Sequence, residues 1–352
     1  MGAHIREIDG LRAIAVLLVL VTHWMPSLVM EIPVGRFGVR LFFVISGFLI
    51  TGILLGCREK SADLSWSIYA FYARRFLRIF PPYYLVLALS ALLIAGAAGR
   101  SLLAHVVYAS NILFAIKGVW GSAFDHIWSL AVEEQFYLIW PFVILFSPRR
   151  VIGPAVVALI VAGPAFRAIM VGLDANAIAT RVLLPGCLDT LALGALLAVL
   201  QCRGLEIAGG VLSALGVVGA VGLTATCIVG LRSDDAAFVL IWQDTFVGLA
   251  SFAVLAAVTQ WNSHTAFALL RWKPAAQLGV ISYGVYLYHG LTSALLHQVG
   301  LHGLLHAAMA FPLTLGVAFV SWRYFELPIS QHKRRFPYLK PMPDNVQLQT
   351  AA

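Results

Sequence analysis

Charged side chains are scarce in this chain: they make up 11% of its 352 residues, while 61% are hydrophobic. So little charge cannot cover a water-soluble body of this size, which excludes an ordinary soluble enzyme. Cysteine is nearly absent too. Cys57, Cys187, Cys202 and Cys227 show neither disulfide nor metal-ligand spacing, so no metal centre is expected and the four are read as small apolar packing residues. No internal repeat is visible, and with it the paired broken helices of a typical secondary transporter are missing. The opening segment is no cleaved signal peptide, because its apolar run carries Arg12 and lacks a small-residue cleavage site.

What the chain has instead is a series of apolar runs, each about 20 residues long and so able to cross a bilayer as a helix. They lie near 9–28, 38–56, 79–98, 130–147, 151–171, 186–201, 207–231, 237–258, 278–298 and 303–325. The expected fold class is therefore all-α: a polytopic membrane protein with about ten transmembrane helices. The apolar segment from His105 to Ile116 is too short to cross and is expected to be re-entrant or interfacial. An even number of crossings puts both termini on one side. That side holds 17 of the Lys and Arg residues, and the other holds 7, Arg100 among them. The positive-inside bias then makes both termini cytoplasmic. The net charge of +8 thus encodes topology and calls for no nucleic acid. Residues 1–330 read as one membrane domain and 331–352 as a short basic cytoplasmic tail, with disorder expected from Leu327 onward.

Ionisable residues inside such runs are costly and by default mark a functional site. Ten residues separate Arg12 from His23. Eleven helical steps turn about 1100° and rise about 16 Å, so the two side chains share one face at different depths. On the expected topology, His23, Glu133, Glu134, Asp189 and His289 fall in the outer half. Arg12, Arg74, Arg75, Arg78, Ser282, Arg323 and Glu326 fall at the inner edge. Imidazole beside carboxylate is the pairing that orients a general base. Arg75 and Arg78 stand on adjacent turns of one face, which suits a phosphate, although the positive-inside bias alone would also place arginines there. Glu133 and Glu134 point about 100° apart, so at most one faces a site. Asp189 has a structural alternative, a pair with Arg181. Ser282 and His289 share a face at a spacing that also suits plain helix packing.

These residues lie in a recognisable series. Arg12-x10-His23 within IDGLRAIAVLLVLVTHW resembles the N-terminal signature of the acyltransferase 3 family of integral membrane acyltransferases. Phe42 to Ile50 (FFVISGFLI), Arg75-x-x-Arg78 followed by Pro81, and Trp128 to Tyr137 (WSLAVEEQFY) follow in order. Asp189 with Gly194, Ser282 to His289 (SYGVYLYH), and Tyr324-Phe325-Glu326-x-Pro328 complete seven motifs, from residue 5 to about 330. The likeness is to the stand-alone form, without an external esterase-like domain.

The resemblance implies an O-acyltransferase of the bacterial inner membrane. It would move an acyl group, usually acetyl, from acyl-CoA to a hydroxyl, often on a carbohydrate such as an envelope polysaccharide. Acyl-CoA is then a substrate and no cofactor is permanently bound. On this reading Arg12, Arg75 and Arg78 hold the phosphates of the donor, and Ser46 or Ser282 lines its channel. His23 takes the proton of the hydroxyl, oriented by Glu133 or Glu134. Asp189 and His289 are further candidates, and Glu326 would order Arg323 or the coenzyme site. Two rival readings stay open: an acyltransferase for a lipid or macrolide-type acceptor, and a non-enzymatic transporter. Neither the acceptor pocket nor any protein partner has a legible motif.

Overall fold

The computed structural model describes residues 5–29, 32–94, 102–120, 124–233 and 236–340; Arg100 and residues 341–352 of the tail lie outside them. Among the described residues there are helices and no strands. Ten helices are long. They are α1 (Arg6–Trp24), α2 (Val34–Lys60), α3 (Leu64–Leu93), α4 (Trp128–Phe146), α5 (Arg149–Gly172), α6 (Leu188–Cys202), α7 (Gly209–Gly230), α8 (Ala237–Gln260), α9 (Lys273–Gln298) and α10 (Gly303–Ser321). Eight helical segments are long and apolar enough to cross a membrane. The other two, α1 and α9, match in length but carry the polar residues of interest, and they pack against each other inside the bundle. The chain is an all-α, multi-pass membrane protein.

The centre is built where α2 meets α6. A Cβ on Gly47 would overlap the carbonyl of Leu191, and one on Gly194 would overlap the carbonyl of Val44. With no side chain between them the two backbones touch, the usual route to tight helix association in lipid. In the same way α9 lies on α1 at Gly279, where any side chain would strike the carbonyl of Asp9. This contact sets α1, and with it Arg12 and His23, against α9. Two buried ion pairs cross-link the rest: Arg40 to Asp244 at 2.6 Å joins α2 to α8, and Arg167 to Asp189 at 2.7 Å joins α5 to α6.

Three expectations change. Residues 57–78, left as the connection between the expected spans 38–56 and 79–98, are almost wholly helical, because Asp63 caps α3 by accepting the Trp66 N–H at 2.9 Å. The helix then runs on through Pro81 and Pro82. Next, the segment from His105 to Ile116, which does not cross, falls in two short helices rather than one, Leu102–Val106 and Ser110–Lys117, that reach into the bundle. Gln135, two turns into α4, donates to the Tyr108 carbonyl at 3.0 Å and to Asn111 Oδ1 at 2.9 Å. Finally, the chain beyond Leu327 is ordered to Lys340. Arg74 donates to the carbonyls of Lys333 and Phe336, Ser67 to that of Tyr338 and Trp66 to that of Pro337, while Lys340 pairs with Asp63 at 3.0 Å. Composition alone read this stretch as disordered; side-chain donors on α3 satisfy its backbone.

Candidate active site

Two cavities lie in line along α1. The one at the Arg12 end is open and spans about 840 Å³, lined by Arg12, Arg75, Arg78, Glu133, Glu134, Ser46 and Ser282. The one at the His23 end is larger, about 1870 Å³, and is lined by His23, His126, His289, Arg36, Arg40 and Arg181, with Trp120 and Trp128. Val39 and Tyr286 line both, so they form the partition.

In the Arg12 cavity, α1, α3 and α4 each present charge. Arg75 stacks on the Tyr137 ring, 4.8 Å from its centroid, which holds the guanidinium at the wall. Tyr137 also shares a hydrogen bond with Ser46, and Glu133 sits beside both hydroxyls. Ser282 spends its proton on the carbonyl of Gly279 at 2.8 Å, leaving its oxygen as an acceptor. Three guanidinia against two carboxylates leave the cavity a place for a polyanion.

In the His23 cavity three imidazoles converge. The ring centroids of His23 and His289 are 4.8 Å apart, those of His126 and His289 4.1 Å, and those of His23 and His126 6.2 Å. Two of these rings have assigned tautomers. His23 Nδ1 lies 2.8 Å from the Val19 carbonyl, and His289 Nδ1 lies 2.6 Å from the Tyr286 carbonyl. A carbonyl only accepts, so each Nδ1 carries the proton and each neutral ring keeps its lone pair on Nε2. His23 is exposed to its cavity, whereas His289 is buried with no partner on Nε2. The arrangement offers an oriented, accessible base. Among the described residues no group of three or more His, Cys, Asp or Glu is placed to hold a metal ion.

The structure thus brings His289 to His23, and Ser46, Ser282, Arg12, Arg75 and Arg78 into one cavity. It does not bring Glu133 or Glu134 to His23. Glu133 follows Ser129, which bonds Tyr286 of the partition, by four residues, about 6 Å along α4, and that rise carries both glutamates into the arginine cavity. The backbone carbonyl of Val19 orients His23 in their place. Asp189 lines neither cavity; it is fully buried with Arg167 and accepts from Thr245 at 2.7 Å. Its structural alternative, Arg181, lies on the separate helix Ala177–Val182 facing the His23 cavity. Glu326 accepts from Ser321 at 3.0 Å rather than from Arg323, because the wide turn Trp322–Glu326 swings it toward α9. There it rests against Gly284, where a Cβ would lie 3.1 Å from its Oε1. Sequence reasoning passed over His126 and Tyr286. Tyr286 had a signal, standing three residues before His289 on one helix face; His126, two residues ahead of the Trp128 motif, had none.

The profile of the acyltransferase 3 family, described as an acyltransferase domain, matches residues 5–323. The peptidoglycan O-acetyltransferase OatA of Listeria monocytogenes is 28% identical over 94% of this chain and 56% of its own length. The O-acetyltransferase OatA of Staphylococcus aureus is 29% identical over 92% of this chain and 56% of its own. The chain therefore spans about half the length of these relatives. No solved structure matches it significantly. With the profile running from the start of α1 to the end of α10 and taking in both cavities, the chain belongs to the acyltransferase 3 family.

Proposed function

We propose that the protein is an O-acetyltransferase of the bacterial cytoplasmic membrane, taking acetyl-CoA at the Arg12 cavity and acetylating a carbohydrate hydroxyl in the His23 cavity. The observation that carries this reading is the placement of Arg12 and His23 on one helix, each in its own cavity, with the two cavities adjoining at Tyr286. The excess of Lys and Arg at the Arg12 end supports a cytoplasmic mouth there, where coenzyme A is available. Arg12, Arg75 and Arg78 suit its phosphates through charge-assisted bonds. Trp120 and Trp128, among polar side chains, suit a sugar in the wider cavity. That both named relatives are O-acetyltransferases, one of them for peptidoglycan, supports a cell-envelope glycan as acceptor.

In the reaction the hydroxyl oxygen attacks the thioester carbonyl while His23 Nε2 takes its proton. The tetrahedral intermediate then expels the coenzyme A thiolate as the C–S bond breaks, and the thiolate takes up the proton, so the base is restored. The test uses purified protein in proteoliposomes with isotope-labelled acetyl-CoA and peptidoglycan fragments or polysaccharide. Labelled ester on the glycan, with one free thiol released per ester, is expected. Acetylation of lipid or of a macrolide alone would replace the acceptor, and substrate movement without thiol release would replace the reading by a transporter.

A further inference from the structure

A third recess lies away from both cavities, between the ends of α2, α5 and α6, and shares no lining residue with either. It is an open concavity of about 470 Å³. Arg58 comes from the last turn of α2, Arg149 opens α5, and Arg203 directly follows α6. The chain turns back after Arg203 through Gly204, at φ +68°, whose N–H bonds the Gln201 carbonyl. The Arg203 guanidinium extends across to α5, where a Cβ on Gly153 would lie 3.5 Å from its Nη2. Glu59 is the one carboxylate lining the recess, and it accepts the Cys202 thiol at 3.1 Å. Arg58 is committed to the Ile144 carbonyl. Among the described residues the ion pairs engage other cations, which leaves Arg149 and Arg203 uncompensated in a concave site.

We propose that this recess binds the phosphodiester headgroup of an anionic glycerophospholipid, with phosphatidylglycerol as the fitting chemistry. Two guanidinia, Arg149 and Arg203, suit one phosphate in this recess, Arg58 adds charge behind them, and the uncapped start of the 24-residue α5 adds positive potential. Glu59 offers an acceptor to a headgroup hydroxyl. The position selects a lipid over a soluble anion. The recess lies at the level where the helices end, Leu55 and Ile152 form its apolar side, and Phe146 and Val151 beside it are exposed, as acyl chains require. A bias of arginine toward one membrane face would not by itself group three of them around one concavity. The proposal stands apart from the acyl-transfer reading.

The test is lipid retention. Wild-type protein, the Arg149→Gln/Arg203→Gln double variant and an Arg150→Gln control are reconstituted in nanodiscs of mixed phosphatidylglycerol and phosphatidylcholine. After release into detergent, bound lipid is counted by native mass spectrometry. Wild type and the control should each keep about one phosphatidylglycerol, and the double variant should lose it by tenfold or more, on the order expected for two lost charges. Equal retention by all three proteins, or equal retention of the two lipids, overturns the proposal. So does displacement of the lipid by millimolar inorganic phosphate, which would make this a site for free anions. Should the double variant fail to insert, Arg203→Gln alone is read in the same way.

Discussion

The hydroxyl of Tyr286 meets Ser129 Oγ at 2.6 Å and the His126 carbonyl at 2.5 Å, inside the wall between the two cavities. The carbonyl can only accept, so the phenol gives its proton there, and Ser129 Oγ, itself 3.2 Å from the same carbonyl, closes the cluster. The ring is thereby pinned between the donor side and the base. Tyr286→Phe should lower acetyl transfer by about tenfold or less and cost about 0.5–1.5 kcal/mol of stability, since it removes one hydrogen bond while Ser129 still serves the His126 carbonyl. Tyr286→Ala should widen the place where the acyl group passes between the cavities and raise the rate with propionyl- and butyryl-CoA relative to acetyl-CoA. An unchanged chain-length preference in a donor series would remove Tyr286 from the partition.

His23→Ala should reduce turnover by ~10²–10⁴, the usual cost of losing a general base. Its thermal transition should stay near that of wild type, because the imidazole faces open space and its hydrogen bond is to its own helix. His289→Ala, which removes a buried neighbour, should cost less activity and more stability. Rates in proteoliposomes alongside melting curves separate the two; a His23 variant within a few-fold of wild type would rule out the assignment.

Arg75→Ala and Arg78→Ala should act mainly on the donor. A hydrogen bond to a charged group contributes about 1.5–3 kcal/mol, so each variant should raise the KM for acetyl-CoA by roughly 10- to 100-fold with a smaller change in kcat. Arg150→Ala, outside both cavities, should leave the KM unaltered. Initial rates across donor concentration decide this.

Arg167→Ala should unfold the protein more readily without touching the chemistry. It strands Asp189 as an unpaired buried charge, at a cost of about 3–5 kcal/mol. Asp189→Asn removes the charge instead, and it should restore part of that loss in the double variant. Melting temperatures of the two single variants and the double variant in one detergent provide the measurement.

Tail docking should depend on acid pH through Asp63. Its carboxyl is held below the usual carboxylate range by the Trp66 N–H and by Lys340. The Trp66 part belongs to the helix cap; the Lys340 part stabilises the docked tail above the unfolded value of about 3.9, and that contribution is lost as pH falls through the lower folded one. Limited proteolysis after Lys333 to Arg335 should therefore be slow at neutral pH and faster below about pH 4. Asp63→Asn should be cut faster at neutral pH as well, with no further acid response.

How much of this was legible follows from which interactions are local. Runs of apolar residues set helix positions through backbone hydrogen bonding within each segment, so ten helices could be read directly, and the rise and turn between Arg12 and His23 already put both on one face. The same reasoning stopped at residues whose partners are far along the chain. Glu133 and Glu134 were placed beside His23 by depth alone, yet the position of the partition at Tyr286, which Ser129 bonds, sends them to the arginines. Asp189 had a plausible partner nearby in Arg181, but the crossing of α5 over α6 delivers Arg167. The convergence of His126 and His289 on His23 joins residues over 100 positions apart, through the glycine contacts that press α1 onto α9. Periodicity along one helix specifies which direction a side chain takes; what it meets there depends on close packing between helices, and no local pattern encodes that.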